Sequence, residues 1–208
     1  MLHMTSQCHT LRQTLRVRDT RLLQAAQDCV LENGIRRTTL SEIARRAGVS
    51  RMTLYRRYSD VRSVVIALLN TEFTAILQQA RSAAGTGTAR EQLVTAAVHA
   101  VRLLHSSPLL QRVLRTEAEL LLPYLVSRLG STQRAAEEFV LEYLSAGHAD
   151  GSIRPAEPAV QARTLLLVLQ SFVISQRPAA QGLPTADLLD ELRRVLDAAL
   201  RPEPANSR

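Results

Sequence analysis

Lysine and tryptophan are both absent from this sequence, and all 26 basic residues are arginine. A GC-rich coding sequence accounts for the missing lysine, since arginine codons are GC-rich. It does not account for where the arginines gather. Aromatic residues make up 3% of the chain, against 46% apolar residues that are mostly Ala, Leu and Val. Strands favour aromatic and β-branched side chains, so this shortage argues against a sheet protein and for helices. The two cysteines, Cys8 and Cys29, offer neither a disulfide framework nor a metal-ligand spacing. Cys29 falls on the apolar face of a predicted helix and is expected in the core. The histidines are His3, His9, His99, His105 and His148, and they show no metal or triad spacing. His99 and His105, six apart, do not stack on one helical face. A P-loop, a nucleophile elbow and a paired-glycine fingerprint are all missing. The expectation is a protein that is not an enzyme and has no metal and no cofactor.

Long hydrophobic runs are scarce too. The stretch "LLLVL" at 165–169 is far short of a membrane span. The start, "MLHMTSQCHTLRQTLRVR", lacks the apolar region of a signal peptide. A cytoplasmic protein with no membrane partner is expected. Residues 1–17 read as a flexible basic extension, with Met4 as an alternative start.

Charge is present but unevenly placed. Residues 1–60 hold eleven arginines against five acids, which leaves +6 of the total +7 in that part of the chain. The rest is nearly neutral. A basic end joined to a neutral end points to a polyanion-binding region on a separate body. At 208 residues the chain can bury an adequate core in one or two lobes.

Periodicity predicts helices throughout, with no internal repeat and no credible strand. Residues 19–33 place Leu22, Ala26, Cys29 and Val30 at helical spacing, and Gly34 follows as a stop. In "TLSEIARRAGVS", Thr39 and Glu42 form a capping box. The threonine accepts from the third amide, and the glutamate reaches back. Leu40, Ile43, Ala44 and Ala47 make one face apolar. Gly48 suits a left-handed terminus, Val49 the hydrophobic contact beside it, and Ser50 the next N-cap. A short helix at 51–57 follows. Asp60 then caps a long helix at 61–83. Further helices are expected at 89–106, from Pro108 to a break at Pro123, and at 131–148, 157–176 and 185–201. The stretch 164–174 is apolar nearly all round, so it must be buried on more than one side. Its second covering is expected to be another copy of the chain, since symmetric dimers dominate soluble oligomers. A central helix in a monomeric bundle is the alternative.

Two helices joined by "AGVS" make a helix-turn-helix. On a wheel of about 100° per residue, Leu54 and Tyr58 share one side of helix 51–57 with Arg51. Tyr55 sits at its edge. Met52, Thr53 and Arg56 point the other way, with Arg57 on the flank. Such an outward arc suits a DNA major groove, where arginine reads guanine and the Thr and Met methyls meet thymine. The amides at Thr39, Ser50 and Arg51 and the Tyr55 hydroxyl are placed for phosphates. Tyr58 is expected in the core. Arg45, Arg46 and Arg57 stay open between electrostatic support and a solvated face.

Residues 39–58, "TLSEIARRAGVSRMTLYRRY", closely resemble the DNA-binding motif of the TetR family of bacterial transcriptional regulators. The preceding "ENGIRRTT" and the capped helix at Asp60 also match, over about residues 19–68. The resemblance implies an all-α fold of about nine helices. It implies an N-terminal three-helix helix-turn-helix DNA-binding domain at 18–62. A C-terminal helical ligand-binding and dimerisation domain at 63–201 would follow, with a disordered tail at 202–208. Met52 stands where the family usually has a small residue, and Tyr58 where it usually has phenylalanine. Val61 replaces a usual lysine, so Arg62 becomes the candidate for that phosphate contact.

The DNA-binding candidates are thus Thr39, Arg46, Ser50, Arg51, Met52, Thr53, Tyr55, Arg56 and Arg62. The expected function is a ligand-responsive, sequence-specific regulator of transcription. The first expectation is a repressor that binds a palindromic operator as a homodimer through its last two helices. An activator or a non-specific DNA-binding protein is the alternative. The expected partners are double-stranded DNA and a small-molecule effector of unknown identity. His99, Leu103, Tyr124, Phe139, Tyr143 and Gln170 are candidates to line the effector pocket, being the larger or polar groups on otherwise aliphatic helices.

Overall fold

A computed structural model of the chain describes residues 4–123 and 129–203, with side chains from residue 19 onward. Among these residues the structure is all-helical, with nine α-helices and two short 3₁₀ turns. The helices are α1 (Met4–Asn33), α2 (Leu40–Ala47), α3 (Arg51–Arg57), α4 (Val61–Ala83), α5 (Ala89–Ser106), α6 (Pro108–Thr116), α7 (Ser131–Ala149), α8 (Pro158–Ala179) and α9 (Thr185–Leu200). The chain forms two compact units. One holds residues 1–70 with 112–120, and the other holds 71–111 with 121–208. Helices α4 and α6 contribute to both.

Helix α1 starts at Met4 rather than at Asp19, so most of the segment expected as an extension is helical. Between Thr5 and Arg18 there is no glycine or proline, and Leu, Arg and Gln are good helix formers. Gly34, at φ 79°, ends the helix as expected. The tail beyond residue 203 lies outside the described residues.

The first unit has a small core. Ala26, Cys29 and Val30 of α1, Ile43 and Ala44 of α2, Leu54 of α3, and Val64 and Val65 of α4 are all fully buried. Each buried aliphatic side chain of this size stabilises the fold by ~1.5–3 kcal/mol. Thr38 is buried between α1 and α2, and its hydroxyl donates to the Cys29 and Gly34 carbonyls at 3.1 and 2.8 Å.

The second unit packs α5 against α7, α8 and α9. Backbone and side-chain bonds tie one of its ends. The Ala89 N–H donates to Asp150 Oδ2 at 3.0 Å, and the Arg90 N–H to Ser152 Oγ at 3.2 Å. The Arg154 N–H donates to the Leu200 carbonyl at 2.8 Å, and Arg90 pairs with Asp197. The start of α5 therefore meets the end of α7 and the end of α9. Helix α8 follows α7 after a short turn, so α5 and α8 leave the tied end in the same direction.

By length and composition alone, α4 and α8 could cross a membrane. That departs from the reading of the short apolar runs. Both helices carry charge within them: Arg62, Glu72 and Arg81 on α4, Arg163 and Arg177 on α8. Their inward residues, Val64, Val65, Ile76 and Ala80 on α4 and Ala162 and Leu165 on α8, are already buried against protein.

At the tied end, Gly147 in α7 lies under Ile153, whose side chain would be 2.3 Å from a Cβ at that position. Ile153 is 2% exposed and cannot retreat into solvent. An alanine ordinarily improves a helix interior by ~0.5–1 kcal/mol over glycine. Overpacking here opposes that by ~1–3 kcal/mol. Gly147→Ala is expected to lower the melting temperature, by about 2–4 °C per kcal/mol of net loss. Calorimetry on the full chain checks it, and an unchanged or higher midpoint would show that the contact yields.

Candidate nucleic-acid interface

The motif begins with its caps. The Glu42 N–H donates to Thr39 Oγ1 at 3.1 Å, so Thr39 caps α2 as expected. The other half of the expected box is not made. The Glu42 carboxylate instead accepts from Asn33 Nδ2 at 3.1 Å, which links α2 to the end of α1. A side-chain amide already ordered by α1 outcompetes the local backbone N–H. Gly48 ends α2 at φ 66°, and the Val49 N–H donates to the Ala44 carbonyl at 3.0 Å. Ser50 caps α3 by accepting from the Thr53 N–H at 3.1 Å. The Ser50 and Thr53 hydroxyls are also 2.7 Å apart, so the threonine hydroxyl is held at the cap. Asp60 caps α4 through the Ser63 N–H at 2.7 Å.

Packing then sets the direction of α3. Leu54 is 0% and Tyr58 9% exposed, whereas Met52 is 77% exposed. The wheel reading holds for these three residues. Arg51, Thr53, Tyr55, Arg56 and Arg57 are exposed as well. Arg51 lies on Leu54's side of the wheel, but as the first residue of α3 it projects past the core. The Tyr55 hydroxyl sits 3.3 Å from Ser41 Oγ on α2. Two anchors on one side and an exposed arc on the other fix the face that α3 presents.

The arginines divide sharply. Arg46 grips Glu32 of α1 in two-pronged fashion, at 2.6 and 2.7 Å. This bond raises the Arg46 guanidinium above its ordinary range and lowers the Glu32 carboxyl below its own. Arg57 pairs with Asp19 and lies over the Tyr58 ring, 5.6 Å from its centroid. Its guanidinium is raised, first by the Asp19 bond. Arg62 bonds Glu119 at 3.1 Å. Arg45, Arg51 and Arg56 have no carboxylate partner among the described residues. Thr39, Ser50, Arg51, Met52, Thr53, Tyr55 and Arg56 are thus assembled on or beside α3, while Arg46 and Arg62 are each held by an acid.

One feature of the same unit has no sequence signal. Arg36, in the 3₁₀ turn at Ile35–Arg37, donates to Glu117 Oε1 at 2.7 Å. The Glu117 side chain is 2% exposed while that of Arg36 is 76% exposed. The two are 81 positions apart, beyond the reach of any local pattern.

The pocket candidates do not converge. His99 lines an open cleft with Ala75, Gln78, Gln79, Ser82 and Ala83. Its Nδ1 is 2.9 Å from Arg102 Nη2, and burial first and then Arg102 hold the ring below its ordinary pKa. Leu103 is half-buried. Phe139 belongs to the apolar core, 5.1 Å from the Tyr143 ring between centroids. Burial pushes the Tyr143 hydroxyl upward. Gln170 accepts from Gln133 at 2.8 Å, joining α8 to α7. Tyr124 lies outside the described residues. Among the described residues no group of His, Cys, Asp or Glu is arranged to hold a metal ion.

A capped pair of short helices, an exposed basic arc and an all-helical second unit define a helix-turn-helix regulator. Residues 22–68 match the model of the tetR family of bacterial regulatory proteins. An uncharacterised HTH-type transcriptional regulator of Mycobacterium bovis is 36% identical over 180 residues, covering 86% of this chain and 93% of that protein. The chain belongs to the TetR family, whose members are transcriptional regulators and not enzymes. FadR of Bacillus subtilis, solved with stearoyl-CoA, has a TM-score of 0.64 at 18% identity over 88% of this chain and 99% of that one. SmeT, solved with triclosan, has a TM-score of 0.61 at 19% identity over 89% and 92%. At these identities the two structures show the shared fold.

Leu54 is the residue on which α3 hangs. Leu54→Ala is expected to cost ~2–5 kcal/mol and to release α3 from α2. The check is amide hydrogen exchange, with faster exchange at residues 51–57 and little change in α5 and α7. Uniform loss across both units would reject the local role.

Proposed function

We propose that this TetR-family regulator is a repressor that binds a palindromic operator as a homodimer and is released by a small-molecule effector. The observation that carries the reading is the arc of α3. Buried Leu54 and Tyr58 hold Arg51, Met52, Thr53 and Arg56 outward, where a major groove would meet them. Arg56 is assigned to a guanine, through the paired acceptors of that base. With the Thr53 hydroxyl held at the cap, its methyl and that of Met52 are assigned to thymine methyls. Ser50, Thr39 and Tyr55 are assigned to phosphates, which fix register without reading sequence. Arg46 and Arg62 contribute only where a phosphate displaces or shares their carboxylates. A regulator of this kind works in the cytoplasm, beside the chromosome.

Dimerisation is assigned to α8 and α9. Helix α8 exposes Val160 at 64% and Leu167 at 67%, one heptad apart, and α9 exposes Val195 at 48%. Apolar side chains aligned on outward faces favour association with a like surface. Two copies would set their α3 helices about 34–36 Å apart, one turn of DNA. An effector in the second unit acts by binding more tightly the form whose spacing is wrong.

Selection of bound DNA from a random pool tests the reading, and a two-fold symmetric site is expected. Arg56→Ala is expected to relax specificity at one base pair per half-site and to weaken binding by ~1–3 kcal/mol. An unchanged base profile would remove Arg56 from base reading. Sedimentation at micromolar concentration is expected to give a species of twice 23.0 kDa. A monomer there would reject the dimer.

A further inference from the structure

The arginines held by acids in the first unit differ in how firmly they are held. Arg46 grips Glu32 with two prongs. Arg57 pairs with Asp19 and also lies over the Tyr58 ring. The Glu117 side chain is 2% exposed, so Arg36 cannot leave it without stranding a buried charge. Arg62 is different. It donates a single bond to Glu119, at 3.1 Å, and the two side chains are 57% and 52% exposed. Opening a pair of that kind shifts an equilibrium by only about two- to fivefold. The segment that offers the carboxylate is nonetheless anchored. Glu119 stands in the 3₁₀ turn Ala118–Leu120, and Val113, Glu117 and Leu120 around it are buried in the same unit. The position of Arg62 bears on the interface. It is the second residue of α4, five positions past the end of α3, within ~18 Å even at full extension. A helix start favours anions over cations, so an arginine there is favoured when an anion sits beside it. Asp60 is committed to the Ser63 N–H at 2.7 Å. In the free chain the anion on Arg62 is Glu119, 57 positions away in sequence.

We propose that Glu119 is a built-in competitor for DNA. Its carboxylate occupies the Arg62 guanidinium in the free protein, and an operator phosphate takes that guanidinium over on binding. The inference rests on the DNA-binding reading proposed above. A carboxylate and a phosphate present the same kind of acceptor oxygens to a guanidinium fork, so the exchange needs no change of fold. Each binding event breaks the internal pair and leaves the charge of Glu119 facing the phosphate backbone. Operator affinity is thereby set below what the outward arc of α3 would give with Arg62 free. The competition concerns a phosphate contact, which carries no sequence information. It lowers affinity and leaves the choice of bases to α3.

Fluorescence anisotropy with the DNA selected from a random pool tests the proposal, over a range of salt. The proteins are the full wild-type chain, Glu119→Gln, Arg62→Ala and the double variant. Glu119→Gln is expected to bind about two- to fivefold more tightly, with the same base profile. In the Arg62→Ala background the same substitution is expected to lose most of that gain. In the Glu119→Gln background, Arg62→Ala is expected to lower the slope of log affinity against log salt by about 0.9, the measure of one phosphate contact. No gain from Glu119→Gln overturns the proposal. So does a gain of equal size without Arg62, which is what general repulsion between Glu119 and DNA gives. An unchanged salt slope or an altered base profile overturns it as well. Should Glu119→Gln not fold, Glu119→Ala supports the same four-way comparison. A chain that selects DNA but shows none of these differences defeats this inference alone. A chain that selects no DNA sequence defeats the regulator reading and this inference with it.

Discussion

Helix α3 has seven residues, too few to be stable in water without support. It exists because Leu54 and Tyr58 are packed beneath it and because Ser50 and the Leu54 carbonyl close its two ends. Everything ascribed to the DNA-facing side depends on that burial. If Leu54 is lost, the outward residues keep their chemistry but lose their common direction. Helix α2 is the platform, and it is held in turn by α1 through Thr38, Asn33 and Glu32. Recognition chemistry in seven residues thus rests on a scaffold of about fifty.

The second unit is organised differently. Its helices are long enough to persist on apolar packing, and specific polar bonds concentrate at one end. Asp150 caps the start of α5 from the end of α7, and the Ser152 and Ala89 bonds hold its carboxyl below the ordinary range. Asp197 takes Arg90 and Arg201 together, and its carboxyl is lowered although burial opposes this. Both depressed carboxyls stabilise the fold above the unfolded carboxylate range and lose that effect as pH falls through their folded values.

Local chemistry was legible in the sequence. The caps at Thr39, Ser50 and Asp60, the left-handed Gly48 and the two sides of α3 all depend on neighbours within four residues. The half-made capping box shows the limit. Glu42 has a local partner in principle but chooses Asn33, nine positions back, because α1 brings that amide close. The Arg36–Glu117 bond was out of reach for the same reason. Pocket candidates were chosen by size and polarity, which picked core rings such as Phe139. Gln176 of α8 gives no local signal, because a glutamine one turn from a helix end usually faces water, yet it is 1% exposed.

The ion pairs of the first unit have a consequence for how basic it really is. By composition the region is a strong polycation. In the folded state Asp19, Glu32, Glu117 and Glu119 each neutralise an arginine locally. Arg21, Arg37, Arg45, Arg51 and Arg56 have no acid partner among the described residues and remain to displace condensed cations from a phosphate backbone, each displaced cation adding to the slope of affinity against ionic strength. In the free chain Arg36, Arg46, Arg57 and Arg62, held by acids, act instead as internal mortar.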